Sequence, residues 1–140
     1  EGTIKKQRSD LPRSASLVEE AGKRKAFLNE IANKLGLSDE NANYYVESAY
    51  DVIMELIRAK LLCDGFKSGG AYAHEAEVSY LRNMGFSEPD VRFANDLRYF
   101  RNGINYYGKR FDAAYAKQVL QFLEAVYPKL KKLAEAHTNL

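Results

Sequence analysis

The sequence predicts an all-α protein: an antiparallel four-helix bundle with one extra short helix. Three observations carry that expectation. Apolar residues recur at helical spacing through most of the chain, and no stretch shows the two-residue alternation of a half-buried strand. Glycines and prolines fall where helices start or stop. The length, 140 residues, suits one domain with its own core, and a composition of 46% hydrophobic and 29% charged residues excludes a chain disordered throughout.

Residues 1–15 carry Lys5, Lys6, Arg8 and Arg13 with little apolar periodicity, so they are expected to form a mobile basic arm. The bundle is expected over residues 16–137. Ser16-Leu17-Val18-Glu19 has the form of a capping box, with the serine accepting from first-turn amides and the glutamate reaching back. A helix should follow, placing Leu28, Ile31 and Leu35 on one face and ending at Gly36. Ser38 should open a longer helix whose broad apolar face includes Tyr45, Val52, Ile53, Leu56 and Cys63, with Gly65 as its stop. Gly69 and Gly70 mark a loop, and a short helix is expected from about Ala73 to Met84, closed by Gly85. Ser87-Glu88-Pro89-Asp90 combines a cap, an early proline and an acidic first turn, so a helix should run from there to about Tyr107 and stop at Gly108. Asp112 should cap the last helix, with Val119, Phe122, Leu123, Val126, Leu130 and Leu133 facing the core and Pro128 producing a kink.

The bulk properties narrow the function classes. A net charge of +2 is too small to argue nucleic-acid binding by itself, so any such argument must come from where the charges sit. The single Cys63 cannot form an internal disulfide, and its apolar run, Leu61-Leu62-Cys63, reads as the site of a buried thiol. No apolar run approaches the roughly 20 residues that span a bilayer, and no signal-peptide pattern opens the sequence, so a cytoplasmic protein without membrane association is expected. Neither Walker-type nor dinucleotide-binding glycine spacing occurs, and no cofactor is expected.

The segment Leu97–Gly108 concentrates the chemistry. Advancing about 100° per residue places Phe93, Leu97, Phe100, Ile104 and Tyr107 on one side of the helix. Asn95, Arg98, Arg101, Asn102 and Asn105 fall on the opposite arc, with Tyr99 and Tyr106 on the flank. Guanidinium groups bind phosphate in bidentate fashion and aromatic rings stack on bases, so this stripe suits phosphate and base contacts. Spacing alone equally allows a solvated face or a symmetric dimer seam. Glu47 and Asp51 lie one turn apart, with Arg58 within about 40° around the helix. They are expected as supporting carboxylates that orient Arg98 or Arg101, with a plain solvated ion pair as the alternative. No histidine or third carboxylate completes a metal set beside them.

In these residues the chain resembles the HEPN family of small helical-bundle domains. The family signature is an arginine, usually followed by a polar residue, then a histidine a few residues later near the end of a late helix. Arg101-Asn102 matches the opening, while Asn105-Tyr106 resembles the variant in which an amide or acidic residue and a tyrosine stand where the histidine is expected. The likeness extends from about Asn41 to Leu133 and includes Glu47-Ser48-Ala49-Tyr50-Asp51 in the second helix. The resemblance implies a homodimer whose signature helices meet in a cleft that takes RNA or a nucleotide phosphate, with Arg98, Arg101, Asn102, Asn105 and Tyr106 as contacts. It also implies a minimal nucleotidyltransferase as a possible toxin–antitoxin partner. Active members are metal-independent endoribonucleases in which the arginine stabilises the phosphorane charge and the histidine moves a proton. Here Arg101 and Tyr106 would hold those places. A phenol, with an ordinary pKa of about 10, is a poor base at neutral pH, so weak or lost nuclease activity is expected. The alternatives are an active endoribonuclease, in which Tyr106 or His74 substitutes for the missing histidine, and a non-catalytic dimerisation module. His74 itself, beside Glu75 and Glu77, reads as a surface residue and could serve only if its loop folds back over the cleft.

Overall fold

The structure of the chain, a computed structural model, describes residues 3–108 and 110–136, with only the backbone of 105–107. It is mostly helical. In chain order the elements are β1 (Thr3–Lys6), α1 (Leu11–Leu35), α2 (Ala42–Asp64), β2 (Phe66–Gly69), α3 (Ala73–Ser79), a 3-10 turn (Tyr80–Arg82), α4 (Glu88–Tyr107) and α5 (Ala113–Glu135). No helix among the described residues is long and apolar enough to cross a membrane.

Helix α2 is the centre of the molecule. Its apolar residues extend around most of its circumference, so it must be covered on several sides. Helices α1, α4 and α5 all pack against it. Tyr45, Ile53, Met54, Leu56 and Ile57 are buried there together with Leu28 of α1, Leu97 of α4 and Leu123 and Leu130 of α5. The helix opens at Ala42 rather than Ser38, because Ser38 and Asn41 close a turn on each other: the Ser38 amide donates to Asn41 Oδ1 at 2.9 Å, and the Asn41 amide to Ser38 Oγ at 3.3 Å.

The N-terminal segment departs from the expected mobile arm. Thr3–Lys6 pair antiparallel with Phe66–Gly69, in the register Thr3↔Gly69, Ile4↔Ser68, Lys5↔Lys67 and Lys6↔Phe66. The two strands are separated by a whole helical hairpin, so neither carries a local signal of the pairing. Helix α1 begins at Leu11, inside the segment assigned to the arm, and its cap is Asp10, whose side chain accepts from the Arg13 amide at 3.1 Å. Ser16 and Glu19 therefore lie within the helix, and Glu19 pairs with Lys23 instead of closing a capping box. A tertiary contact holds the extra turn. Ser14 is fully buried, and its hydroxyl donates to the Ala59 carbonyl at 2.8 Å and lies 2.9 Å from Cys63 Sγ. Gly65 lets the ribbon approach α2: its φ is +80°, and a Cβ there would sit 2.9 Å from the Gln7 carbonyl oxygen.

The remaining boundaries follow local chemistry more closely. The short helix ends at Ser79 and tightens into a 3-10 turn, which carries Tyr80 and Leu81 into the core, the Tyr80 hydroxyl donating to Asp64 Oδ2 at 2.6 Å. Ser87 caps α4 by accepting from the Asp90 amide, and Gly108 ends it in the left-handed conformation. Asp112 caps α5 by accepting from the Tyr115 amide. Val119, Leu123, Val126 and Leu130 of α5 are buried, whereas Leu35 at the end of α1 is exposed. Phe93 stacks on Phe122 with ring centres 4.3 Å apart, joining α4 to α5.

Burial raises the phenol pKa values of Tyr45, Tyr50, Tyr80 and Tyr115, the last to about 12 with a smaller contribution from Asp96. The folded state thus holds these protons more tightly than the unfolded chain, whose tyrosines titrate near about pH 10. Their stabilising contribution is complete below that pH and is lost as the pH rises through their raised values, about 12 for Tyr115. The melting temperature is expected to be flat from pH 8 to 9.5 and to fall between pH 10 and 12, with Tyr115→Phe blunting the fall. A melting temperature that holds through pH 12 would contradict this.

Candidate functional site

The functional side chains gather where α4 crosses α2. Tyr50 of α2 is buried there, only 5% exposed. Its hydroxyl has no hydrogen-bond partner among the described residues. The Arg101 guanidinium carbon stands 5.5 Å from the Tyr50 ring centre, within range of a cation–π contact. Burial raises the Tyr50 pKa, and the charges of Arg58, Arg101 and Arg98 act against that rise. Three guanidinium groups from two helices therefore bear on one buried hydroxyl.

Each arginine is held differently. Arg98 donates from Nε to Asn95 Oδ1 at 3.1 Å, one helical turn away, and has no carboxylate partner among the described residues. Arg101 Nη2 lies 3.8 Å from Asp51 Oδ1, a long ion pair between partly exposed groups that is worth little by itself. Arg58 forks onto Glu77, from Nε to Oε2 at 3.0 Å and from Nη2 to Oε1 at 3.3 Å. Glu77 is 5% exposed, so this carboxylate depends on its partners for solvation. His74 Nδ1 lies 3.0 Å from Glu77 Oε1 and 3.1 Å from Arg58 Nη2. The short helix α3 thus joins His74 and Glu77 to α2 through Arg58.

The structure brings together Arg98, Arg101 and Asp51 from the residues singled out in the sequence. Glu47 is half-buried one turn before Asp51, and Asn102 is half-buried on α4 beside Arg101. The side chains of Asn105 and Tyr106 lie outside the described residues. His74 is exposed, as its loop position implied, yet it is tied to Arg58 and Glu77.

Sequence reasoning missed Tyr50 and Glu77 and placed Arg58 only beside the carboxylates. Tyr50 reads as another core aromatic, because nothing local distinguishes a satisfied hydroxyl from an orphaned one. A signal for Arg58 was present: it is a cation in the middle of the most apolar helix, where a buried acidic partner is the usual explanation.

Outside this cluster some of the other charges make ordinary pairs, such as Lys25 with Glu124 and Arg82 with Glu88. Arg24 donates to Glu55 at 2.9 Å, and that bond is the main reason its pKa is raised, with Asp51 adding a smaller attraction. Among the described residues no three histidine, cysteine or carboxylate side chains gather as they would around a metal ion. Chemically, the cluster offers guanidinium forks and a phenol donor, a set suited to phosphate oxygens. Comparison of the chain with protein-family models, curated protein sequences and solved structures gives no match.

Proposed function

We propose that the chain is a HEPN-like four-helix bundle that binds RNA or a nucleotide phosphate at the arginine cluster. The observation that carries this reading is the buried Tyr50 hydroxyl, left without a partner while the charges of Arg58, Arg98 and Arg101 bear on it. A buried donor of this kind costs about 1–3 kcal/mol when unsatisfied, and a phosphate that draws the Arg101 guanidinium off the Tyr50 ring would reach and satisfy it while neutralising the arginines. Arg98 and Arg101 would take the phosphate, with Asn102, Asn105 and Tyr106 continuing the contact surface along α4 and Asp51 and Glu47 orienting the cations. The resemblance adds a homodimer built through α4, weak or lost ribonuclease activity and a nucleotidyltransferase partner.

The test couples affinity to stability. Arg101→Ala is expected to weaken binding of a labelled RNA about tenfold at low salt and to reduce the salt slope by about 0.7, the value for one lost phosphate contact on a single strand. Tyr50→Phe is expected to weaken binding while raising stability by about 1 kcal/mol, because the orphaned hydroxyl disappears. Affinity unchanged in both variants would remove the reading and leave the stripe as an interaction seam.

A second reading, an active metal-independent endoribonuclease, draws support from the link of His74 to Arg58 and Glu77. Cleavage that persists in chelator and is lost in both His74→Ala and Arg101→Ala would favour it.

A further inference from the structure

A second basic region adjoins the arginine cluster. A cavity of about 330 Å³ opens between β2, the start of α1 and α2, lined among others by Gln7, Arg13, Arg58, Lys67, Ser68 and Glu77. Arg58 belongs to both places: it faces this cavity and its charge acts on Tyr50. Glu77 is the acidic group in the cavity wall, and Arg58 already forks onto it.

The ribbon beside the cavity is charged at a cost to itself. Lys5 and Lys67 stand directly opposite each other across the two strands, an arrangement of like charges that destabilises a sheet. Lys6, Arg8 and Arg13 continue the charge into the first turn of α1, and Asp10 is the one carboxylate over residues 3–13 and 66–69. Asp10 is engaged as the α1 cap, and the neighbouring Asp64 is held by Lys60 and Tyr80. None of the five cations has an ion-pair partner among the described residues. Uncompensated charge concentrated beside a cavity is the electrostatic footprint of a polyanion.

Resting on the reading of the cluster as a phosphate site, we infer that the ligand is a single-stranded oligonucleotide. Its backbone runs from Arg98 and Arg101, past Arg58, into the cavity walled by Arg13 and Lys67. Arg13 of α1 and Lys67 of β2 lie outside the set of cations that bear on Tyr50, so a ligand that engages both sets must extend beyond one phosphate. Two exposed tyrosines belong to the elements that carry these groups, Tyr99 beside Arg98 on α4 and Tyr72 at the start of α3, the helix that holds Glu77. Exposed rings interleaved with cations stack on unpaired bases, which a duplex does not present.

The test uses fluorescence anisotropy with the full chain and three labelled probes: a dinucleotide, a twelve-nucleotide single-stranded RNA and a hairpin duplex of equal charge. The twelve-nucleotide RNA is expected to bind at least tenfold tighter than either other probe. Arg13→Ala/Lys67→Ala, two surface changes, should weaken binding of that RNA about tenfold and lower its salt slope by about 1.4, while leaving the dinucleotide unchanged. Arg101→Ala should weaken both single-stranded probes. If the double variant binds the long RNA as wild type does, while Arg101→Ala still weakens both probes, the extended path is wrong and the phosphate site stands. Equal affinity for the duplex also overturns the inference. An Arg101→Ala variant that binds both probes normally removes the phosphate site itself.

Discussion

Replacing Arg58 with methionine is expected to destabilise the protein by about 2–3 kcal/mol. Removing one partner of a buried ion pair costs about 3–5 kcal/mol, because the other charge is left in a low-dielectric setting. Here the figure is reduced because the Arg58 side chain is about a third exposed and His74 remains within 3.0 Å of the Glu77 carboxylate. Methionine keeps the aliphatic length of arginine and isolates the charge effect from packing. The double variant Arg58→Met/Glu77→Gln should recover most of the loss, since no uncompensated carboxylate is then buried. Urea denaturation of the three proteins checks this. A single variant as stable as wild type would mean that Glu77 reaches solvent or another cation. The same substitution should weaken RNA binding without recovery in the double variant, separating the structural role of Arg58 from its contact role.

Leu97→Ala is expected to cost about 3 kcal/mol. The side chain is fully buried in the core, and truncating a buried leucine loses its transfer free energy and leaves a cavity, for about 2–5 kcal/mol in all. Leu97 immediately precedes Arg98 and lies one turn before Arg101, so the core face of α4 is what holds the arginines over Tyr50. Leu97→Met, which conserves volume, should cost less than about 1.5 kcal/mol and leave RNA affinity unchanged. Chemical denaturation gives the stability difference. A loss below about 1 kcal/mol for the alanine variant would place Leu97 outside the close-packed core.

Helix α4 shows why part of this architecture is readable from residue order. Ser87, Pro89, the acidic first turn and Gly108 act through bonds within a few residues, so their chemistry is complete in the local sequence. Asp112 before α5 and Gly65 after α2 belong to the same class. The start of α1 does not. Ser16 and Glu19 satisfy the capping pattern, yet Asp10 caps the helix six residues before the expected cap, and the intervening stretch is fastened by Ser14 to Ala59 and Cys63. A capping motif states where a helix can begin; a distant contact can extend it upstream.

The candidate site divides in the same way. Arg98, Arg101 and Asn102 could be placed on one helix arc because three- and four-residue spacing sets the angle between side chains. Asp51 could be expected near them only as one of two carboxylates, and the packing of α4 on α2 brings it to Arg101 at 3.8 Å. The arginine cluster around Tyr50 required α2 and α4 to meet, and the Arg58–Glu77–His74 link required α2 and α3 to do so.

By itself, then, the sequence determined the helical class, the caps of α4 and α5, the glycine stops and the polar arc that carries Arg98 and Arg101. Those features depend on backbone hydrogen bonds and on angular periodicity, both of which act over a few residues. Only the tertiary structure decided that the basic N-terminal segment pairs with Phe66–Gly69, that Ser14 anchors an extra turn and that the Tyr50 hydroxyl is buried without a partner. Those features depend on which surfaces exclude water from each other, and that is settled by contacts between residues tens of positions apart.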